Sequence, residues 1–265
     1  MRWQFNETTG VIAPDTSGNG RHGDVNDTTE PNWVDDAERD WCLDFNDGDF
    51  VLDNDANTYM NGLRGLTVAL WIKSDVNNTD SGFIIFEEPS GGDDRNIRYD
   101  SDGSGGGGTN LIKYGVTTGE GNEADESSSE VQTTAWQHIA VTWRGGVRLK
   151  LYIDGVLDIP SDDDNARTGT TTGYDRVMVG KGGKDEGAGE GWNGLIDDVQ
   201  IYNYALSAAE IITVRDGSTT NKAGVYYPVD SPADLFEDEE PGSRYVNFKD
   251  YARLADEWLE YQPFP

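Results

Sequence analysis

The feature that most constrains this chain is the alternation at residues 66–72, where Leu66, Val68, Leu70 and Ile72 are apolar and recur at every second position. Successive side chains of an extended strand point to opposite faces, so such a run offers one face to a core and does not suit a helix. Related patterns occur at Trp136-Gln137-His138-Ile139-Ala140-Val141-Thr142-Trp143, at Leu149-Lys150-Leu151-Tyr152-Ile153, and at Leu195-Ile196-Asp197-Asp198-Val199-Gln200-Ile201-Tyr202. Shorter clusters at 2–5, 41–45, 49–52, 82–87, 96–99, 110–116 and 176–180 are separated by Gly, Asp, Asn, Ser and Thr, which favour turns. Gly145-Gly146 reads as a tight hairpin, and Asn46-Asp47-Gly48 as another between 41–45 and 49–52. Residues 101–108 read as a Gly/Ser hairpin tip and 120–130 as an acidic loop. About eleven strands with short turns and no repeated βα units predict an all-β fold of two packed antiparallel sheets.

Two segments depart from this pattern. Residues 207–215 read as a short helix, with Ser207 as N-cap and Glu210 three residues on, the spacing of a capping box. Farther along, Phe248, Tyr251, Ala252, Ala255, Trp258 and Leu259 recur at three- and four-residue intervals, the apolar stripe of a second helix. The expected organisation is therefore a sandwich over 1–217, a linker or strap over 218–233, and a helical appendage over 234–265.

Charge limits the partners. Twenty Lys plus Arg stand against 50 Asp plus Glu, a formal net charge of −30. Phosphate backbones and anionic lipid would be repelled, so nucleic acid and membrane surfaces are not expected partners. No apolar run approaches the ~20 residues needed to span a bilayer, so no membrane insertion is expected. Cys42 is the single cysteine, which excludes an internal disulfide, and its strand-like setting predicts a small buried hydrophobe.

The stretch from Trp136 to Ser207 resembles the laminin-G-like, concanavalin A-like lectin/glucanase family. The residues that carry the likeness are Ala135-Trp136-Gln137-His138-Ile139-Ala140-Val141-Thr142-Trp143 and Gly194-Leu195-Ile196-Asp197-Asp198-Val199-Gln200-Ile201-Tyr202-Asn203-Tyr204-Ala205-Leu206-Ser207. The resemblance implies a jelly-roll sandwich and a non-catalytic module that binds polysaccharide or glycoconjugate in a secreted or cell-surface protein. It implies export too; Met1-Arg2-Trp3 begins no apolar signal stretch, so the chain is expected to be an excised or mature piece. A structural spacer without a sugar site is the alternative, and a glycoside hydrolase or lyase a third reading. Residues 246–259 resemble a dockerin-type half-repeat, which implies a protein partner. There Asp234, Asp238, Asn247 and Asp250 fit calcium-loop positions, but Phe236 replaces a ligand and 239–245 lengthen the loop.

The candidate chemistry follows. Asp15-Thr16-Ser17-Gly18-Asn19-Gly20 resembles the family's acidic turn and supplies the hard oxygens that calcium prefers. Alternation places Asp197 with Leu195, Val199 and Ile201 on an inward face, with Asp198 outward. A buried carboxylate needs a partner. The resemblance brings this strand and the acidic turn together and implies structural Ca2+ held by Asp15, Asn19, Gly20 and Asp197. The other reading leaves Asp15 and Asn19 closing an Asx-turn, with Asp197 accepting backbone N–H groups. Sugar stacking needs exposed aromatic faces. Trp192, among Gly and acidic neighbours, is the aromatic expected outside, with Tyr99, Tyr114 and Tyr174 beside loops as further candidates, while Trp3, Trp71, Trp136 and Trp143 are expected in the core. Glu123-Ala124-Asp125-Glu126 approaches a glycosidase triad on one strand but lacks its last carboxylate, so no enzymatic activity is expected.

Overall fold

In the computed structural model, which describes residues 1–26, 32–46, 48–86, 95–101, 109–158, 166–181 and 191–217, the alternating stretch lies within a ten-residue strand, Gly65–Ser74. In chain order the strands begin with β1 (Arg2–Trp3), β2 (Ile12–Ala13), β3 (Gly23–Asn26), β4 (Asn32–Asp36) and β5 (Asp40–Phe45). They continue with β6 (Phe50–Asp53), β7 (Gly65–Ser74), β8 (Ser81–Ile85), β9 (Asn96–Asp100), β10 (Leu111–Thr118) and β11 (Gly121–Glu126). The last are β12 (Gln137–Arg144), β13 (Val147–Ile153), β14 (Val156–Asp158), β15 (Val177–Val179) and β16 (Gly194–Tyr202).

Two eight-stranded sheets result. Sheet A runs β14-β13-β12-β7-β16-β5-β4, with β1 also paired to β16, and sheet B runs β11-β10-β9-β8-β15-β6-β3-β2. The described pairs are antiparallel, so the fold is the expected all-β two-sheet sandwich. Leu66, Val68, Leu70 and Ile72 of β7 join Ile139, Val141 and Trp143 of β12 in the core. Ile97 and Tyr99 of β9 and Ile112 and Tyr114 of β10 line the same core from sheet B. Hence Trp71 and His138, between inward neighbours, lie on the outer face of sheet A.

Three local readings need correction. Residues 41–45 and 49–52 do not pair as a hairpin, because β5 belongs to sheet A and β6 to sheet B. The chain turns a corner there: Asp49 N–H donates to Asn46 O at 2.8 Å and Asn46 N–H to Asp49 Oδ2 at 2.8 Å, while Phe45 and Val51 both enter the core. The acidic loop at 120–130 instead contains β11, the edge strand of sheet B, where Glu123 is buried and accepts backbone N–H groups and Asp125 pairs with Arg148. Third, β4 (Asn32–Asp36), not anticipated from sequence, pairs along β5 and buries Trp33.

Where backbones press closest, glycine is required. At Gly194 φ is +128°, and a Cβ would lie 2.2 Å from the Lys73 carbonyl oxygen, so β16 can enter beside β7 at this point without a side chain. Cys42 is fully buried, as expected, and burial pushes its thiol up to about 12, which keeps it unreactive.

The chain divides into two units, Met1–Ala205 and Leu206–Pro265. In the second, α1 (Ala208–Arg215) carries the expected capping box: Ser207 Oγ accepts from Glu210 N–H, and the Glu210 side chain accepts from Ser207 N–H at 2.7 Å. The expected linker at 218–233 and the dockerin-like segment at 234–265 lie outside the described residues.

Candidate functional site

The acidic turn is built around one carboxylate. Asp15 Oδ1 accepts the N–H of Arg2 at 2.8 Å and of Ser17 at 3.0 Å, and Oδ2 accepts the N–H of Arg21 at 3.0 Å. Burial works to raise the Asp15 pKa, but the hydrogen bonds from Ser17, Arg2 and Arg21 outweigh it and hold the carboxyl below its ordinary value. Asn19 is exposed and donates its amide to Ser17 Oγ at 2.9 Å, and Gly20 is exposed beside it.

The late strand differs from its expected register. The pairing of β16 with β7 slips between Asp197 and Gln200, and Asp198 sits at φ +46°, the signature of a β-bulge. The extra residue resets the alternation, so Ile196, Val199 and Ile201 enter the core while Leu195 and Asp197 do not. Asp197 therefore faces the outer side of sheet A rather than the interior of the sandwich. Asp198 is not outward and solvated as expected. It is 7% exposed and takes a two-pronged pair from Arg2, Nε to Oδ1 at 2.7 Å and Nη2 to Oδ2 at 3.0 Å. Gln200 Nε2 donates to Asp198 Oδ2 at 2.9 Å.

Around Asp197 a cluster of aromatic and charged groups has formed. Arg39, brought in by the β4–β5 hairpin, donates from Nε and Nη2 to Asp197 Oδ2 at 2.9 and 2.6 Å. Its guanidinium lies 4.2 Å from the centroid of Trp71, which packs edge-on against His138 at 5.3 Å. Burial raises the Asp197 pKa to about 7, against the pull of Arg39 and reinforced by the neighbouring charge of Asp198. Next to it, Trp136 Nε1 donates to Asp36 Oδ1 at 3.0 Å, and Lys73 Nζ reaches Asp36 Oδ2 at 2.9 Å. Burial opposes ionisation of Asp36, yet Glu38 N–H, Lys73 and Trp136 together hold its carboxyl below the ordinary value. Lys73 and Arg39 stand 5.7 and 6.0 Å from the Trp136 ring centroid.

The aromatic expectations reverse. Trp192, expected outside, is fully buried against Phe83 at 5.2 Å and Tyr99 at 5.4 Å, because Trp192-Asn193-Gly194 leads straight into β16. Tyr99, Tyr114 and Tyr174 are each 1% exposed, so none offers a ring to a ligand from solution. Conversely, Trp71 and Trp136, expected in the core, are half-buried and off it, while Trp3 and Trp143 are core as expected. Alternation itself held the signal for Trp71, which separates inward Leu70 from inward Ile72.

The four expected calcium ligands do not form one donor set. Asp15 is filled by backbone donors, Asp197 is occupied by a guanidinium, and Asn19 faces solvent. Among the described residues, no group of three or more His, Cys, Asp or Glu is gathered to hold a metal ion. Arg39 would repel a cation at Asp197, so these residues do not fit a shared calcium site. The glycosidase-like string is also engaged. Glu123 accepts Leu149 N–H at 2.7 Å and Arg167 N–H at 3.1 Å, and Asp125 pairs with Arg148 at 2.6 Å.

Two antiparallel sheets of this order define a lectin- or glucanase-type β-sandwich. Residues 46–212 match the laminin-G-like family described as the concanavalin A-like lectin/glucanases superfamily, and the chain belongs to that family. No curated protein matches it. Among solved structures, it is similar to domain 4 of the extracellular GH43 arabinanase AbnA from Geobacillus stearothermophilus, solved with arabinotriose. There the identity is 18%, the TM-score 0.54, and the match covers 81% of this chain and 96% of that one. The botulinum neurotoxin serotype D ligand-binding domain, solved with N-acetylneuraminic acid, matches at 17% identity and TM-score 0.57, over 82% of this chain and 50% of that one. Trypanosoma rangeli sialidase matches at 16% identity and TM-score 0.56, over 81% of this chain and 32% of that one. These likenesses establish the fold.

Proposed function

We propose that this chain is a non-catalytic carbohydrate-binding module of a secreted or cell-surface protein, taking sugar at Trp136 on the outer face of sheet A. The observation that carries the reading is the setting of Trp136: half-buried, off the core, its indole N–H fixed on Asp36 and its ring flanked by Lys73 and Arg39. A sugar ring lays its C–H face on such an indole while its hydroxyls meet a carboxylate and cations. Neighbours of the same fold solved with arabinotriose or N-acetylneuraminic acid support a sugar as the ligand class.

The non-catalytic part rests on occupancy. Glycoside hydrolysis needs one carboxyl to give a proton and another to attack or to activate water. Asp36 is tied to Lys73, and Asp197 to Arg39. The acidic turn is read as held by its own hydrogen bonds, without calcium. A protein partner at 234–265 is a further part of the proposal, supported by the spacing of Phe248, Tyr251, Ala255 and Trp258.

The test is retention on a panel of immobilised polysaccharides. One or more should retain the protein, and Trp136→Ala should weaken retention about tenfold, the cost of one lost stacking contact. Reducing-end release would replace this reading with an enzyme, and silence across the panel would favour a spacer.

A further inference from the structure

Beside Trp136 stand two cations with hydrogen-bonding capacity still in hand. Asp197 Oδ2 takes Nε and Nη2 of Arg39, which leaves the N–H groups of Nη1 without a partner among the described residues. That nitrogen is not buried, and 21% of the Arg39 side chain is exposed. Lys73 Nζ gives one N–H to Asp36 and keeps the others, with 31% of its side chain exposed. Both donors flank the Trp136 ring, Arg39 at 6.0 Å and Lys73 at 5.7 Å from its centroid.

Arg39 is held in place. A guanidinium paired with Asp197 and laid against Trp71 at 4.2 Å has little rotamer freedom left to lose, so a bound hydroxyl meets a donor already positioned. The charges, by contrast, are spent. Arg39 answers Asp197, Lys73 answers Asp36, and exposed Glu38 adds a further carboxylate near Lys73. The Asp36 hydrogen bond, with a smaller push from Glu38, holds the Lys73 pKa above its ordinary value against desolvation. Around this ring donors are in surplus while positive charge is not, in a chain whose formal net charge is −30.

Taking Trp136 as the sugar platform, on which this step rests, we infer that the Trp136 site selects uncharged glycans, with Arg39 Nη1 and Lys73 Nζ donating to hydroxyl oxygens of the sugar stacked on the indole. A hydroxyl oxygen accepts from either donor and needs no net charge beside it. A carboxylate or sulfate needs cations that Asp197 and Asp36 already neutralise, and it is repelled by Glu38 and by the acidic chain as a whole. Arg39 is then the residue that sets specificity, and Asp197 is a positioning residue that acts through it.

The experiment measures binding of the full chain at about pH 8, where Asp197 is ionised, to matched pairs of immobilised polymers. The pairs are hydroxyethylcellulose and carboxymethylcellulose, galactan and polygalacturonate, mannan and alginate, agarose and carrageenan. At least one neutral member should bind at least about tenfold tighter than its charged partner, a gap that narrows as salt rises. Arg39→Lys keeps a cation for Asp197 but loses the fork of donors, and should weaken binding of the neutral polymer about fivefold. Lys73→Met should do the same, and covers the case in which Arg39→Lys does not fold. Glu38→Gln, a change at an exposed position, should bring the charged polymer closer to its neutral partner. If a charged member binds as tightly as its neutral partner, or if neither Arg39→Lys nor Lys73→Met weakens neutral binding, while Trp136→Ala still does, the inference is overturned and the platform stands. Binding that Trp136→Ala leaves intact, or no binding to any polymer, overturns the platform and the inference with it.

Discussion

Asp15 and Asp197 are both buried carboxylates, 7% and 3% exposed, yet they are settled in opposite ways. Asp15 is surrounded by peptide N–H groups that its own turn presents, and its pKa lies below the ordinary value. Asp197 sits on a sheet face, served by the side chain of Arg39 from a distant hairpin, and its pKa is raised to about 7. Backbone donors are fixed by the fold and have little entropy left to lose. At Asp197 deeper burial, reinforced by the neighbouring charge of Asp198, outweighs the pull of the one guanidinium, so its carboxylate stays nearer neutrality. The first arrangement is a staple; the second can change state within the physiological range.

The largest effect should come from breaking the pair on sheet A. Asp197→Ala strands a guanidinium over Trp71 and should cost about 3 kcal/mol in chemical denaturation. A loss near zero would mean that Arg39 finds solvent freely. Asp15→Ala leaves three peptide N–H groups without their acceptor and should cost about 2 kcal/mol. That loss should be the same in excess calcium and in EDTA. A calcium-dependent rise in the unfolding temperature, removed by Asp15→Ala or Asp197→Ala, would bring the calcium reading back.

The pH dependence is the most diagnostic, because the two carboxylates have opposite signs. With its folded pKa raised, Asp197 contributes stability that is complete below the ordinary carboxylate range and is lost as pH rises through about 7. With its folded pKa lowered, Asp15 contributes stability that is present above the ordinary range and is lost as pH falls through its depressed value. Denaturation midpoints from about pH 4 to about pH 8 should therefore decline more steeply in the native protein than in Asp197→Asn. Parallel curves would show that Asp197 titrates as an ordinary carboxyl.

Much of the sandwich was legible in the residues. Long strands buried on one face, such as β7 and β12, announce themselves because every second side chain must be apolar. Edge strands do not, since β4 and β11 are rich in Asp, Glu and Asn, so nothing in their composition separates them from loops. The site was harder still. One extra residue in β16 turned Asp197 to the other face, and a bulge between two adjacent carboxylates leaves no mark in hydrophobic periodicity. Trp192 misled for a related reason: the expectation came from its Gly-rich, acidic neighbours in sequence, whereas its own environment is set by Phe83 and Tyr99, far away in sequence. Asp36 and Arg39 share the β4–β5 turn, but Lys73, Trp136 and Asp197 reach them through tertiary pairing alone, which no local spacing announces.

The position of β16 has a consequence in time. This strand lies inside sheet A, between β7 and β5, and also receives β1 from the beginning of the chain, with Arg2 opposite Gln200. Until residue 202 has been synthesised, β5 and β7 each lack the neighbour that β16 supplies. Loop closure over so long a separation is slow, and open edges are prone to pairing with the wrong partner. During that interval the high density of negative charge on the chain acts as a guard, keeping unfinished molecules apart until the last strand closes the sheet.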